Sequence, residues 1–154
     1  KILAKKLKYN FIDVDKLIEI KEGMSINLIF KKKGESFFRK IEHDLTLIEL
    51  KKNKSVISLG GGAFLDSNVR KNVKRLSISF WLDVSLDELI KRLKKNKQRP
   101  LLFRKNTGDE IKKIYFSRKK IYNEADFKIK CGSLKTELIA KKIVNLYEKT
   151  RDQV

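Results

Sequence analysis

Ser55-Val-Ile-Ser-Leu-Gly-Gly-Gly62 joins a run of apolar and β-branched residues directly to three consecutive glycines. The run predicts a short buried strand, and the glycines predict a sharp turn at its end. Because glycine has no Cβ, a ligand can closely approach the amide groups of such a turn. Glycine triplets also occur in plain loops, so a binding role depends on other residues that point to the same place.

Short apolar segments separated by helical patterns indicate the fold class. We predict strands at 10–13, 55–59, 76–82 and 125–129. The segment 37–48 has the apolar spacing of a helix, and Ser85-Leu-Asp-Glu88 and Thr107-Gly-Asp-Glu110 fit the capping box at a helix start. Strands that alternate with helices predict an α/β fold with a parallel sheet.

The chain is small and strongly basic. It has 154 residues, 41% of them hydrophobic, and 38 Lys and Arg against 19 Asp and Glu give a net charge of +19. This size predicts a single domain over 1–154. The charge favours polyanions, so a nucleic-acid binder remains an alternative, whose affinity would fall steeply with salt. Most basic residues are lysines on predicted helix faces, and we interpret the charge mainly as compositional bias.

Few residues are available for redox or metal chemistry. The single Cys131 excludes an intrachain disulfide, and with His43 as the only histidine no spacing suits a His/Cys metal site. We interpret His43 as a surface residue. No apolar run is long enough to cross a bilayer, and together with the free cysteine this predicts a cytoplasmic protein.

Two carboxylates follow the first predicted strand, in Asp13-Val-Asp15. Parallel sheets bind ligands at this edge. One carboxylate of such a pair can hold Mg²⁺ or its water while the other orients a hydroxyl group. The alternative is that Asp15 only caps a helix beginning at Lys16.

Three arginines stand out among the many lysines, because a guanidinium binds carboxylate or phosphate through two parallel hydrogen bonds and lysine cannot. They are Arg39, Arg99 and Arg118. Arg99 precedes the only proline, within a polar stretch of about 94–106 where the helical pattern fails. We predict that this stretch is a lid loop over a cleft.

An ordered set of short motifs extends along nearly the whole chain. The set runs through Phe11-Ile-Asp-Val-Asp15, Ile18-Glu19, Gly23-Met-Ser-Ile26, Ile29-Phe30, Gly34-Glu35, Phe38-Arg-Lys-Ile-Glu42, Val56-Ile-Ser-Leu-Gly-Gly-Gly62, Trp81-Leu82, Arg99-Pro-Leu-Leu102, Arg118 with Tyr122, and Ala125-Asp126. In this order the motifs resemble shikimate kinase, a member of the P-loop kinase superfamily. The resemblance implies a three-layer α/β fold with a parallel sheet in the strand order 2-3-1-4-5.

The resemblance also implies a function and a substrate site. The protein, which we expect to be a monomer, would by this resemblance transfer the ATP γ-phosphoryl group to the 3-hydroxyl of shikimate, a step of aromatic amino-acid (chorismate) biosynthesis. Asp15 would bind the shikimate hydroxyls and act as the base, and Arg39 and Arg118 would clamp its carboxylate. The floor, the apolar wall and the polar end of the pocket would be formed by Gly60, Gly61, Gly62, Phe30, Phe38 and Glu42.

ATP and Mg²⁺ are the cofactors that the resemblance implies. Arg99 on the lid would swing over the phosphates and stabilise the transferring charge. Arg92 would pack against adenine, and Asp13 would hold Mg²⁺ through its hydration shell.

One family feature, a Gly-rich phosphate-binding loop ending in Gly-Lys-Ser/Thr, does not occur in these 154 residues. Lys1 aligns just after that loop, so the family's first strand would be missing too. We therefore expect unpaired edges on the strands at Ser55 and Leu76. We also expect a truncated domain with reduced stability and no measurable kinase turnover unaided, and recovery of activity once upstream residues are restored.

Two other functions remain open. The chain could be another small-molecule P-loop kinase, such as a gluconate kinase, although Phe38-Arg39 together with Arg118 favours a cyclic carboxylate. It could also be a noncatalytic module that only binds shikimate.

Overall fold

The computed structural model describes residues 1–95, 108–132 and 134–151. The elements in chain order are α1 (Ile2–Leu7), β1 (Asn10–Asp13), α2 (Val14–Glu22), α3 (Ile26–Glu49), β2 (Ser55–Ser58), a 3₁₀ helix (Ala63–Leu65), α4 (Ser67–Leu76), β3 (Phe80–Asp83), α5 (Leu86–Lys95), α6 (Gly108–Tyr122), β4 (Phe127–Lys130) and α7 (Thr136–Arg151). The predicted α/β class is confirmed. Beyond Lys95 the predicted lid, with Arg99, lies outside the described residues, as does Thr107 of the second capping box.

The strands pair in parallel, as predicted. β1 pairs with β2 from Asn10 opposite Ser55 to Asp13 opposite Ser58. β3 pairs with β4 in the same way, from Phe80 opposite Phe127 onward. These pairs correspond to the two ends of the expected strand order.

A cavity separates the two pairs of strands. In the described part of the chain β2 pairs only with β1, and β3 only with β4, which agrees with the unpaired edges expected from the sequence. The cavity has a volume of about 600 Å³, and its lining includes Val56 and Ile57 of β2 and Phe80 and Trp81 of β3. The strand edges that face it are therefore available for further pairing.

The predicted third strand began too early. Leu76 is the last residue of α4, and the strand starts only at Phe80. The alternation of Leu76, Ile78 and Phe80 is typical of a strand, but Ser77 ends the helix with its Oγ bonded to the Val73 carbonyl at 2.8 Å. Val69 and Val73 of the same helix are buried in a cluster with Leu50 and Phe64, and this tertiary packing overrides the local alternation.

The fourth strand starts two residues later than predicted, at Phe127. Asp126, which precedes it, accepts hydrogen bonds from the backbone N–H and the hydroxyl of Ser79 at 2.8 and 2.6 Å. Ser79 precedes β3, so these bonds align the beginnings of β3 and β4.

The strand-to-helix junction after β1 is sharper than the sequence indicated. Asp13, the last residue of β1, is the N-cap of α2, and its carboxylate accepts a hydrogen bond from the Lys16 N–H at 3.3 Å. The interpretation of Asp15 as the cap of a helix beginning at Lys16 is therefore wrong. Asp15 lies in the first turn of α2, which leaves its side chain close to the end of the sheet.

Helix α3 covers this end of the sheet and is kinked at Gly34. Gly34 has φ of 81°, a left-handed conformation that glycine adopts at no steric cost. After the kink, Phe38 and Ile41 are buried against Val14 and Ile18 of α2. Because these apolar residues face the core, Arg39 and Glu42 of the same turn lie beside the loop that follows β2. Among the described helices, none is both long and apolar enough to cross a membrane.

Candidate active site

The glycine triplet Gly60–Gly62 is the centre of the site. It follows β2, and the parallel register places Ser58 beside Asp13 at the end of β1. Both loops therefore leave the sheet at the same edge, where an α/β sheet binds ligands. This register brings Asp15 next to Gly60, although 45 residues separate them in the chain.

Each glycine of the triplet lies against a different part of the predicted site. A Cβ on Gly60 would lie 2.6 Å from both Asp15 Oδ1 and Glu42 Oε1. A Cβ on Gly62 would lie 2.6 Å from Arg39 Cζ, whereas one on Gly61 would lie 3.7 Å from Arg118 Nη1. The structure thus brings together the predicted substrate residues from α2, α3 and α6. The absence of Cβ atoms at Gly60 and Gly62 is what permits this approach.

Arg39 is held in place by carboxylates on its own helix. Its Nη1 donates to Glu42 Oε2 at 2.6 Å, and its Nε lies 3.3 Å from Glu35 Oε1. These partners are three and four residues away, the spacings that face each other on a helix. Glu42 is only 2% exposed, whereas a third of the Arg39 side chain is accessible. Arg39 can therefore meet a ligand while its buried partner fixes its orientation.

An aromatic wall adjoins Arg39. The rings of Phe30 and Phe38 lie 4.7 Å apart between centroids, and the Arg39 guanidinium carbon lies 5.1 Å from the centre of the Phe38 ring. Both phenylalanines belong to α3, on either side of its kink. The predicted apolar residues of the site thus lie beside Arg39.

Four charges influence one another around the triplet. Burial raises the pKa of Glu42 and the negative charge of Asp15 adds to this, although the hydrogen bond from Arg39 and the charge of Arg118 act in the opposite direction. Burial acts to lower the pKa of Arg39, but its bonds to Glu42 and Glu35 raise it above its ordinary value. Arg39 therefore remains charged while the site holds two carboxyl groups close together.

The stability of the fold should depend on pH through Glu42. Because its folded-state pKa lies above its ordinary value of 4.5, the folded protein binds this proton more tightly than the unfolded chain does. Glu42 therefore adds stability below its unfolded pKa, and this contribution is lost as pH rises through the folded pKa. Urea unfolding from about pH 4 to about pH 7 should show the parent chain losing stability relative to Glu42→Gln.

Glu124→Gln is the control for this experiment. The hydrogen bond from Lys74 lowers the pKa of the Glu124 carboxyl, so its contribution is lost as pH falls and the slope has the opposite sign. If the stability of the parent relative to Glu42→Gln stays constant or increases as pH rises, the assignment of Glu42 is wrong.

Tyr122 is a site residue that the sequence-based prediction did not include. Its hydroxyl donates to the Gly61 carbonyl at 2.6 Å. Tyr122 follows Arg118 by four residues, so both lie on one face of α6. That spacing was the signal available in the sequence. The bond joins the triplet directly to the helix that carries Arg118.

Arg92 and Asp13 have different surroundings. Arg92 lies on α5, where its Nε is 2.9 Å from Glu88 Oε1. Its charge acts on the thiol of Cys131, whose pKa is raised by burial. Arg92 thus belongs to the half of the sheet formed by β3 and β4. Asp13 lies in the other half, at the end of β1, with one carboxylate oxygen bonded to the start of α2.

The lone histidine is near the surface, as predicted. His43 Nδ1 lies 3.0 Å from Asp44 Oδ1, and its Nε2 lies 3.1 Å from Asn68 Nδ2. Among the residues that the structure describes, no group of three or more His, Cys, Asp or Glu side chains could hold a metal ion.

Comparison with known proteins identifies the family. The family model described as shikimate kinase matches residues 1–148. The shikimate kinase of Thermodesulfovibrio yellowstonii is 40% identical over 149 residues, which cover 97% of this chain and 86% of that protein. The shikimate kinase of Aquifex aeolicus is 37% identical over 143 residues, covering 93% of this chain and 83% of that one.

Solved structures agree with the family assignment. The shikimate kinase from Acinetobacter baumannii in complex with shikimate is similar with a TM-score of 0.90 and 29% identity, over 97% of this chain and 84% of that chain. The crystal structure of shikimate kinase from Aquifex aeolicus gives a TM-score of 0.84 and 36% identity, over 97% and 87% of the two chains. The predicted P-loop kinase fold is confirmed, and the chain belongs to the shikimate kinase family.

Proposed function

We propose that the site around Gly60–Gly62 binds shikimate and that the protein transfers the γ-phosphoryl group of ATP to the 3-hydroxyl of shikimate. The observation that carries this proposal is the convergence of two arginines and two carboxylates on the triplet, from three different helices. A small cyclic polyol acid needs both kinds of group, cations for its carboxylate and acceptors for its hydroxyls. The likeness to a structure titled as a complex with shikimate supports the same ligand.

Arg39 and Arg118 bind the shikimate carboxylate in this proposal. Arg39 faces Gly62, and Arg118 lies beside Gly61, so both guanidinium groups border the same floor. Glu42 holds Arg39 at 2.6 Å, and Phe30 and Phe38 supply the apolar wall for the ring.

Asp15 is the proposed base. Its Oδ1 lies beside Gly60, where it can accept hydrogen bonds from the shikimate hydroxyls. As the 3-hydroxyl oxygen forms its bond to the γ-phosphorus, its proton passes to the Asp15 carboxylate and the bond to the β–γ bridging oxygen breaks to release ADP. Asp15 is close to Glu42, and Arg118 opposes the resulting repulsion.

The donor set at the end of β1 fits a Mg²⁺ ion that arrives with ATP. Mg²⁺ keeps several waters and binds proteins through one or two carboxylates together with substrate phosphates. Asp13, at the end of β1, is such a carboxylate, and Asp15 follows it in the first turn of α2. When bound, Mg²⁺ would neutralise charge on the phosphates. Asp13 would hold its water shell, Arg99 would contact the phosphates, and Arg92 would pack against adenine.

The remaining parts of the proposal concern organisation. We propose that 1–154 is one domain, that the lid covers about 94–106, and that the protein acts as a cytoplasmic monomer. These statements rest on its size, its composition and its family.

Titration and turnover together test this function. We expect calorimetric titration of the 154-residue chain to detect binding of shikimate and not of gluconate. Shikimate-dependent ADP release is then measured in a coupled assay that contains ATP, on this chain and on the product of the whole reading frame that encodes it. With ATP present, we expect the gene product to release ADP with shikimate and not with gluconate.

Other outcomes would contradict the proposal in distinct ways. Turnover with gluconate and not shikimate would assign the substrate to another class. Shikimate binding without turnover in the gene product would indicate a sensor. Tight nucleic-acid binding that weakens log-linearly with salt, without any response to shikimate, would favour the polyanion alternative.

A further inference from the structure

The position of Arg118 depends on how α6 is attached to the glycine triplet. α6 ends at Tyr122, whose hydroxyl bonds the Gly61 carbonyl at 2.6 Å. Just after the triplet, Phe64 of the 3₁₀ helix packs against Tyr122 with ring centroids 6.2 Å apart. Arg118 lies one turn before Tyr122. Any shift of α6 relative to the 3₁₀ helix therefore moves the Arg118 guanidinium across the floor of the site.

The Arg70 guanidinium connects the 3₁₀ helix to the end of α6 from outside the site. Arg70 of α4 donates from Nη1 to the carbonyl oxygens of Phe64 at 3.0 Å and Leu65 at 2.7 Å. Its Nε lies 3.3 Å from Oε1 of Glu124, which follows the end of α6. The Arg70 side chain is 17% exposed, so its bonds to the two carbonyl oxygens are partly shielded from water, whereas the Glu124 side chain is 41% exposed.

The backbone that carries Arg70 is held firmly at the start of α4. Asp66 joins the 3₁₀ helix to α4 and accepts hydrogen bonds from the N–H groups of Asn68 at 2.8 Å and Val69 at 2.9 Å. Val69 is fully buried in a cluster with Phe64. The base of the Arg70 side chain is therefore fixed relative to the residues that follow the triplet.

Lys74 offers a contrast on the same helix. Its Nζ lies 3.0 Å from the other oxygen of Glu124, but its side chain is 46% exposed. The structure records no bond from Lys74 to the 3₁₀ helix among the described residues. Both Lys74 and Arg70 thus form an ion pair with Glu124, but Arg70 also bonds two backbone carbonyl oxygens.

We infer that Arg70 is a positioning residue for substrate binding, which holds α6 against the loop after the triplet and thereby sets the place of Arg118. Arg70 itself does not touch the substrate. The inference rests on the proposed function, because it assigns Arg70 a role in the shikimate site. A Lys side chain at this position cannot reproduce the planar fork that reaches Glu124 and both carbonyls.

Calorimetric titration of shikimate into matched variants tests this inference. We expect Arg70→Lys to weaken shikimate binding about fivefold, the size typical of a residue that acts on a ligand through another residue. Lys74→Gln, the matched control, should bind within about twofold of the parent, because the carbonyl contacts of Arg70 remain. Glu124→Gln provides a second variant if Arg70→Lys does not fold, and it should weaken binding in the same direction.

A double-mutant cycle separates positioning from general destabilisation. In an Arg118→Ala background the effect of Arg70→Lys should disappear, because the residue that it positions is gone. In an Arg39→Ala background the effect should persist. Unchanged affinity of Arg70→Lys, or an equal loss in both backgrounds, would overturn the inference. Absence of shikimate binding by the parent chain would instead contradict the proposed function and the inference together.

Discussion

Replacing Arg39 with alanine is expected to weaken shikimate binding about 100-fold, because a charge-assisted bidentate contact is lost at a partly enclosed site. The same change leaves Glu42, which is 2% exposed, without its 2.6 Å partner. Leaving such a buried acceptor unsatisfied should cost about 1–3 kcal/mol of unfolding free energy. Calorimetry with shikimate measures the first effect, and urea denaturation measures the second.

Two variants make this result interpretable. Arg39→Lys keeps the charge but loses the fork, so we expect an affinity between those of the parent and Arg39→Ala. Arg75→Ala removes an exposed arginine of α4 whose recorded contact is with Asn72 at 3.0 Å, and it should leave affinity unchanged. If both Arg39→Ala and Arg118→Ala bind shikimate as tightly as the parent, the carboxylate clamp is wrong.

Gly62→Ala is expected to reduce shikimate affinity by about tenfold or more, and to cost about 1–3 kcal/mol of unfolding free energy, because the Arg39 guanidinium that it displaces is bonded to buried Glu42. A Cβ at this position would lie 2.6 Å from Arg39 Cζ and 2.8 Å from Nη2, so the guanidinium must move. A third of the Arg39 side chain is exposed, so it can rotate outward into solvent, but this movement breaks its bond to Glu42. Binding suffers because the cation no longer faces the floor.

Gly61→Ala is the matched control for the stability measurement. Its Cβ would lie 3.7 Å from Arg118 Nη1, an ordinary van der Waals distance, so no site residue has to move. We expect no displacement of Arg39 in this variant, as judged by an unchanged pH dependence of unfolding through Glu42. Gly62→Ala with parent-like affinity would show that the Arg39 position seen here is not the one that binds substrate.

Local patterns predicted most of the fold. The alternation of short apolar strands with helical segments predicted β1 and β2 nearly residue for residue and gave the parallel class. The errors fall where two local signals compete, as at Leu76, which fits both the end of a helix and the start of a strand. Helix α4 continues to Leu76 because Val69 and Val73 are buried on one of its faces. That burial is a tertiary contact, which no local pattern contains.

The sequence predicted which residues form the site, but not the contacts that they make with one another. Asp15, Arg39 and Arg118 were identified from residue chemistry and the order of motifs. The tight fit of Arg39 to Gly62 depends on the packing of α3 against the loop after β2, and the raised pKa of Glu42 depends on its burial and on the charge of Asp15 from α2. Tyr122 and Arg70 were missed as contributors because their bonds go to backbone carbonyls, which every residue has and no motif marks.

The sequence by itself determined which side chains share a face of each helix or strand, since the α and β periodicities are local properties of the chain. It therefore placed Arg39 with Glu42, and Arg118 with Tyr122, before any tertiary contact was known. Only the tertiary structure decided that these faces meet at Gly60–Gly62. That meeting depends on the register of β1 with β2 and on the packing of α3 and α6, which join segments distant in the chain through burial and hydrogen bonding.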